Sequence, residues 1–220
     1  MDRKLIITIN REYGSGGKII GKKLSEKLCI PYYDDEIIKM ASEHSAVGEQ
    51  YFRMNDERPG NNILQRIIGG IKNANNKPSI GDDIVSPDNL FRFESEVIRE
   101  LAANESCILI GRCADFVLSS AGEDDFVLSS AGNEDFISLF VYADLSTKVD
   151  RVMDVDGVDS KEALRRVQRN NRIRKEYYKY YTGEEWDDMT HYDLPLNTSK
   201  ITLEQGVNLI LEYLKIRGKL

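Results

Sequence analysis

The residues that could do chemistry begin in "TINREYGSGGKIIGKKL", residues 8–24. Gly14, Gly16 and Gly17 cluster there without side chains to block a close approach, and a helix-like segment follows. An apolar strand, glycines and a helix N-terminus together cradle phosphate, because free N–H groups and the positive end of the helix dipole point at one spot. The plain alternative is a tight turn that holds nothing. The standard phosphate loop reads G-x-x-x-x-G-K-[ST], with its lysine on the outer phosphates and its hydroxyl on Mg²⁺. Two registers fit part of that pattern. Gly17-Lys18 as the Gly-Lys pair puts Glu12 at the first glycine and Ile19 at the hydroxyl. Gly14-Ser15-Gly16 as the closing glycines puts Gly17 at the lysine and Lys18 at the hydroxyl. Either way, residues 14–19 (Gly14, Ser15, Gly16, Gly17, Lys18, Ile19) are the candidate phosphate-binding residues. The ammonium of Lys18, with Arg11 or Lys22, is expected to supply part of the charge that a usual lysine and Mg²⁺ would share.

A second group is basic: Arg165, Arg166, Arg169, Arg172, Arg174 and Lys175 follow one another without an acid. On an ideal helix Arg165, Arg169 and Arg172 share a face, and Arg174 points nearly opposite. A solvated face is the bland account. Beside a phosphate loop, arginine forks suit the charge on a transferring phosphoryl group. The aromatics of "EYYKYYTGEEW" could cover a base or pack a lid. Arg112, just past a strand end in "ILIGRCAD", could grip a second phosphate. Asp34 and Asp35 could bind a sugar or base, or cap a helix. Neither His44 nor His191 has a partner in the sequence.

These residues need elements to position them. "LIITI" (5–9), "CIPYYDDE", "CILIG" (107–111), "FISLFVY" (136–142) and "DLPLN" read as short buried strands. Helices are expected over 18–28, from about Asp35 to Ser42, and over 86–104 with Ser86 capping and Pro87 first. Others should start at "RCADFVL" and at about Ser146, and run over 160–181 with Gly183 ending the last. Asp159/Glu162 and Thr202/Gln205 have capping-box spacing. Residues 44–86 read as loop around one helical piece, "ILQRIIGGI". Alternating strands and helices imply a parallel sheet covered on both faces, with ligands at the strands' carboxyl ends.

Composition frames this. The 220 residues suit one sizeable domain, and 41% apolar with 30% charged residues is ordinary for a globular chain. A net charge of −7 argues against a protein that coats nucleic acid. No run approaches a membrane span and no signal peptide is evident, so a cytoplasmic setting is expected. The three cysteines suit neither a zinc site nor a disulfide framework, and two sit in apolar runs as expected buried thiols. "DFVLSSAGED" (115–124) is followed at once by "DFVLSSAGNE" (125–134), a local tandem duplication that makes Asp115 and Asp125 interchangeable candidates.

The motifs "REYGSGG..IGKKLSEKL", "PYYD", "VIRELA", "GRCADFVL", "LFVYAD", "YYKYYTGEEW" and "YDLPLNTSKI" resemble the cytidylate kinase-like proteins, a divergent branch of the P-loop nucleoside-monophosphate kinases. The resemblance spans nearly the whole chain. It implies a P-loop α/β fold of one domain over 1–220: five parallel strands flanked by helices on both faces, an acceptor-side insert at 36–104 and an arginine lid at 156–183. It implies ATP as donor, Mg²⁺, and a nucleoside monophosphate such as CMP as acceptor, so small-molecule nucleotides are the expected partners. By position, 14–18 would hold ATP phosphates, Arg112 and Asp34 would serve the acceptor, and Arg169, Arg172 and Arg174 would act in catalysis as lid arginines; beside these, Asp115 is a candidate for acceptor binding and Lys18 for catalysis. The chain departs from the branch at Gly17, where those kinases have lysine, at Lys18, where they have serine, and at Cys113, in place of the aspartate of "GRD". In the lid, Asn171-Arg172-Ile173-Arg174 replaces Asp-Lys-x-Arg. The lost lysine and hydroxyl favour a second reading, a nucleotide- or anion-binding regulatory protein without catalysis.

Overall fold

The computed structural model describes residues 4–56, 84–119 and 136–220. The second copy of the duplication, Asp125 and the "ILQRIIGGI" piece lie outside the described residues. Five parallel strands form one sheet in the order β2-β3-β1-β4-β5. They are β1 (Ile6–Arg11), β2 (Tyr32–Tyr33), β3 (Cys107–Ile110), β4 (Phe136–Tyr142) and β5 (Leu194–Asn197). β1 is central. Ile6 faces Cys107 on one side and Phe136 on the other. It also runs further than expected from "LIITI", because β4 is long enough to pair with it up to Arg11↔Val141.

Among the described residues, eight α-helices accompany the strands: α1 (Gly17–Leu28), α2 (Glu36–Ser45), α3 (Glu49–Asp56), α4 (Pro87–Asn104), α5 (Ala114–Ser119), α6 (Leu145–Asp156), α7 (Ser160–Thr182) and α8 (Leu203–Ile216). Alternation along β1 divides the core. Ile7 and Ile9 pack with Ile20 and Leu24 of α1 and Val207 and Ile210 of α8. Ile6 packs on the other face with Ile37 and Ile38 of α2, Phe52 of α3 and Ile98 of α4. The expected caps form: Ser86 accepts from Asn89 N–H, Asp159 from Glu162 N–H, and Thr202/Gln205 make the reciprocal box. Gly183 ends α7 in the left-handed region.

Two elements differ from the sequence expectation. α2 continues to Ser45, and α3 occupies part of the stretch read as loop. The periodic signal of α3 is one buried residue, Phe52, which packs into the core of α2 and α4. A single anchor in a polar helix leaves almost no apolar stripe to read.

Candidate functional site

The strand order reverses direction around β1, so a crevice opens at the carboxyl end of the central strand. A cleft of about 760 Å³ lies there, within the range of small-molecule sites. Residues 10–14 and 16–19 line it, together with Asp34 and Asp35 after β2, residues 110–113 after β3, and parts of α6 and α7.

The glycine loop is built to approach something closely. Gly14 and Gly16 sit at φ 81° and 87°, and a Cβ on Gly14 would stand 2.7 Å from the Lys148 carbonyl oxygen. The loop is clamped from behind. Ser15 Oγ donates to the Glu12 carbonyl at 2.8 Å. The Ser15 carbonyl accepts from Thr198 Oγ1 at 2.7 Å and from Arg151 Nη1 at 2.9 Å. Arg151 also donates to Thr198 Oγ1 and to its carbonyl, and burial lowers the guanidinium's pKa. Buried Lys148 pairs with Glu12 at 2.7 Å, and Glu12 also accepts from Ala143 N–H. α1 then opens without a side-chain cap and without an acid in its first turn. Its N-cap, Gly16, has no side-chain oxygen to offer, and the Gly17 N–H meets Ser15 Oγ only at the long distance of 3.4 Å.

Lys18 and Arg11 both reach Asp34, at 2.6 Å and 3.6 Å. Asp34 is buried, and desolvation alone would raise its pKa, but Arg11, then Lys18 and Arg112, hold the carboxyl below its ordinary range. Ile19 is exposed at the mouth.

Arg112 follows β3 in a turn of three left-handed residues: Gly111, Arg112 and Cys113 at φ 66°, 55° and 54°. Two of the three are not glycine, a conformation that costs about 1–2 kcal/mol each. The turn drives Arg112 inward. Its Nε donates to the Asp34 carbonyl at 3.1 Å, and its Nη1 meets Glu94 at 3.4 Å, where both side chains are only 4% exposed. The arginine expected to grip an acceptor phosphate thus has a buried carboxylate on one edge of its fork. Glu94 was missed in the sequence, although it sits between Leu90 and Ile98 on the apolar stripe of α4. An acid at that spacing is the signal that could have found it.

Of the lid arginines only Arg174 faces the cleft, beside Asn170, Ile173 and Tyr177. Its Nη1 donates to the Arg11 carbonyl at 2.9 Å, and its guanidinium lies 5.8 Å from the Tyr13 ring. Arg169 and Arg172 are exposed and do not line the cleft, and Arg172 lies 3.8 Å from Glu176 on its own helix. The reason is helical phase: the buried side of α7 runs through Ala163, Val167, Tyr177 and Tyr178 and turns Arg174 toward the loop. Asp115 is also not on the cleft wall. It is buried at the start of α5, its Oδ2 accepts from Tyr178 of α7 at 2.9 Å, and desolvation raises its pKa.

Other contacts tie α6 and α7 to the loop. Tyr13 N–H donates to Asn171 Oδ1 at 2.7 Å, and Tyr13 OH to Asp156 at 3.0 Å. Arg151 and Lys148 carry no signature in the sequence, and although Thr198 and Asn171 stand in quoted motifs, nothing there signals their partners, because each acts through tertiary contact.

The family model described as the cytidylate kinase-like family matches residues 6–200. The cytidylate kinase of Methanopyrus kandleri is 32% identical over 112 residues, 51% of this chain and 56% of that one. The cytidylate kinase of Staphylothermus marinus is 28% identical over 79 residues, 36% of this chain and 45% of that one. The chain thus spans about half the length of the curated relatives it matches. The solved structure of an uncharacterized protein from Eubacterium ventriosum superposes with a TM-score of 0.65 at 26% identity, covering 96% of this chain and 99% of that one.

Proposed function

Since this chain belongs to the cytidylate kinase-like family, we propose that it transfers the γ-phosphoryl group of ATP to a nucleoside monophosphate, CMP or a related small phosphorylated acceptor. The observation that carries the reading is the glycine loop at the end of the central strand, which opens an uncapped helix into a cleft of about 760 Å³. Residues 14–18 would hold the donor phosphates through backbone N–H groups and the helix dipole. An acceptor phosphate oxygen would attack the γ-phosphorus in line, the bond to the ADP oxygen would break, and no covalent enzyme intermediate would form. Arg174 is the lid arginine assigned to the transferring group, and Arg112 and Asp34 flank the acceptor side.

The residues do not fit a protein-held Mg²⁺. The hydroxyl position is Lys18, whose ammonium lies 2.6 Å from Asp34, and among the described residues no group of three or more His, Cys, Asp or Glu could hold a metal.

One observation favours the regulatory reading: Tyr13 N–H is already taken by Asn171. ADP release across the nucleoside monophosphates, read beside ATP binding, separates the two. Turnover with one of them is expected, and ATP binding without any turnover would overturn the kinase reading. Lys18→Ala is expected to weaken ATP binding by about tenfold or more, and far more than Lys23→Ala, because Lys23 lies outside the cleft and pairs with Glu204. Equal effects would refute a role for Lys18.

A further inference from the structure

With Gly16 as the closing glycine, the standard loop pattern puts its first glycine at residue 11 and its lysine at residue 17. The chain has Arg11 and Gly17 there, so the two residue types are exchanged. The exchange has a steric counterpart. A Cβ on Gly17 would stand 2.5 Å from Arg11 Cβ, 3.1 Å from Arg11 Cγ and 3.2 Å from Val141 Cβ. Real Cβ atoms do not approach a neighbour to 2.5 Å, so positions 11 and 17 compete for one volume and cannot both carry a side chain without a shift of the backbone. The room the Arg11 guanidinium needs is also provided. It crosses the end of the sheet over Gly111, where a Cβ would collide with Nη1, and it lines the cleft within 3.6 Å of Asp34.

We propose that Arg11 is the cation of this phosphate site, moved from the first turn of α1 to the end of β1, and that its ligand is the β/γ-phosphate pair of a nucleoside triphosphate. The inference rests on the phosphate-loop reading. A guanidinium offers a planar fork to two phosphate oxygens where an ammonium offers a point charge. Asp34 holds the fork at the cleft when phosphate is absent, and phosphate replaces it as the partner.

The test is calorimetric binding of ATP and of inorganic tripolyphosphate, with folding followed by thermal melts. Arg11→Gln is expected to weaken both ligands by about tenfold or more, and Arg11→Lys to retain most of the affinity. Gly17→Lys alone is expected to lower the melting temperature through the collision. The swap Arg11→Gly/Gly17→Lys is expected to bind both ligands better than Arg11→Gly. Wild-type affinity in Arg11→Gln, equal losses in Gln and Lys, or a folded swap that gains nothing would each overturn the inference while leaving the loop reading in place. A wild-type protein that binds neither ligand would overturn both. If the swap does not fold, the Gln and Lys variants decide alone.

Discussion

Asp34 is where the cleft's cations converge, and its titration should be measurable. Its carboxyl ionises below its ordinary value of 3.8, because Arg11, Lys18 and Arg112 outweigh the burial that would raise it. A depressed carboxylate contributes stability that is fully present above its unfolded pKa and is lost as pH falls through the folded one. The wild type should therefore lose stability more steeply than Asp34→Asn between about pH 4 and pH 2, as read from urea midpoints. Parallel curves would show that the pairs contribute nothing. Much of this residue-level picture could be anticipated from the chain: the glycines, Lys18, Asp34, Arg112 and Arg174 all reach the cleft. What could not be anticipated was pairing. Nothing near Arg112 in sequence announces Glu94, and nothing near Ser15 announces Thr198, since those contacts exist only once the sheet has formed.

At the scale of elements, the turns that join them carry the design. The β1–α1 turn and the α6–α7 turn both use a left-handed glycine, Gly14 at φ 81° and Gly157 at φ 65°. They differ in surroundings: a Cβ on Gly14 meets the Lys148 backbone, and one on Gly157 meets nothing within 4 Å. Gly157→Ala should cost about 1–2 kcal/mol of unfolding free energy from backbone strain alone. Gly14→Ala should cost more, by about 1–3 kcal/mol, because neither backbone can yield cheaply. Chemical denaturation of the two variants checks the difference, and equal costs would refute the close packing. Caps and strands were legible for the same local reason. Ser86-Pro87, Thr202/Gln205 and Gly183 signal their helix ends within a few residues, and "CILI" and "FISLFVY" are continuous apolar runs. The phase of α7 was hard to read, because Val167 and Ile173 are the only apolar residues within the arginine run, and the buried tyrosines that help set it lie a turn or more further on.

For the whole molecule, the contrast is between an acidic chain of net charge −7 and a cleft where Arg11, Lys18, Lys22, Arg112, Arg151 and Arg174 offset the acids Glu12, Asp34, Asp35, Asp154 and Asp156. Local charge rather than total charge should govern ligand choice. The helices α6 and α7 are already joined to the loop through Asp156, Asn171, Arg174 and Tyr13, so a ligand between them should stabilise the fold as a unit. ATP at about a hundredfold excess over its Kd should raise stability by about 2.7 kcal/mol, visible as a thermal shift. No shift at any nucleotide concentration would point instead to a scaffold. The central place of β1 also bears on how the molecule comes into being. Ile6 pairs only with residues about a hundred or more positions later, around Cys107 and Phe136, and such distant pairings make folding slow and late. The phosphate loop hangs from that strand, so a chain still being synthesised has no cradle until both neighbouring strands have emerged. The nucleotide capture proposed for the loop would thus become possible only once β4 has been made.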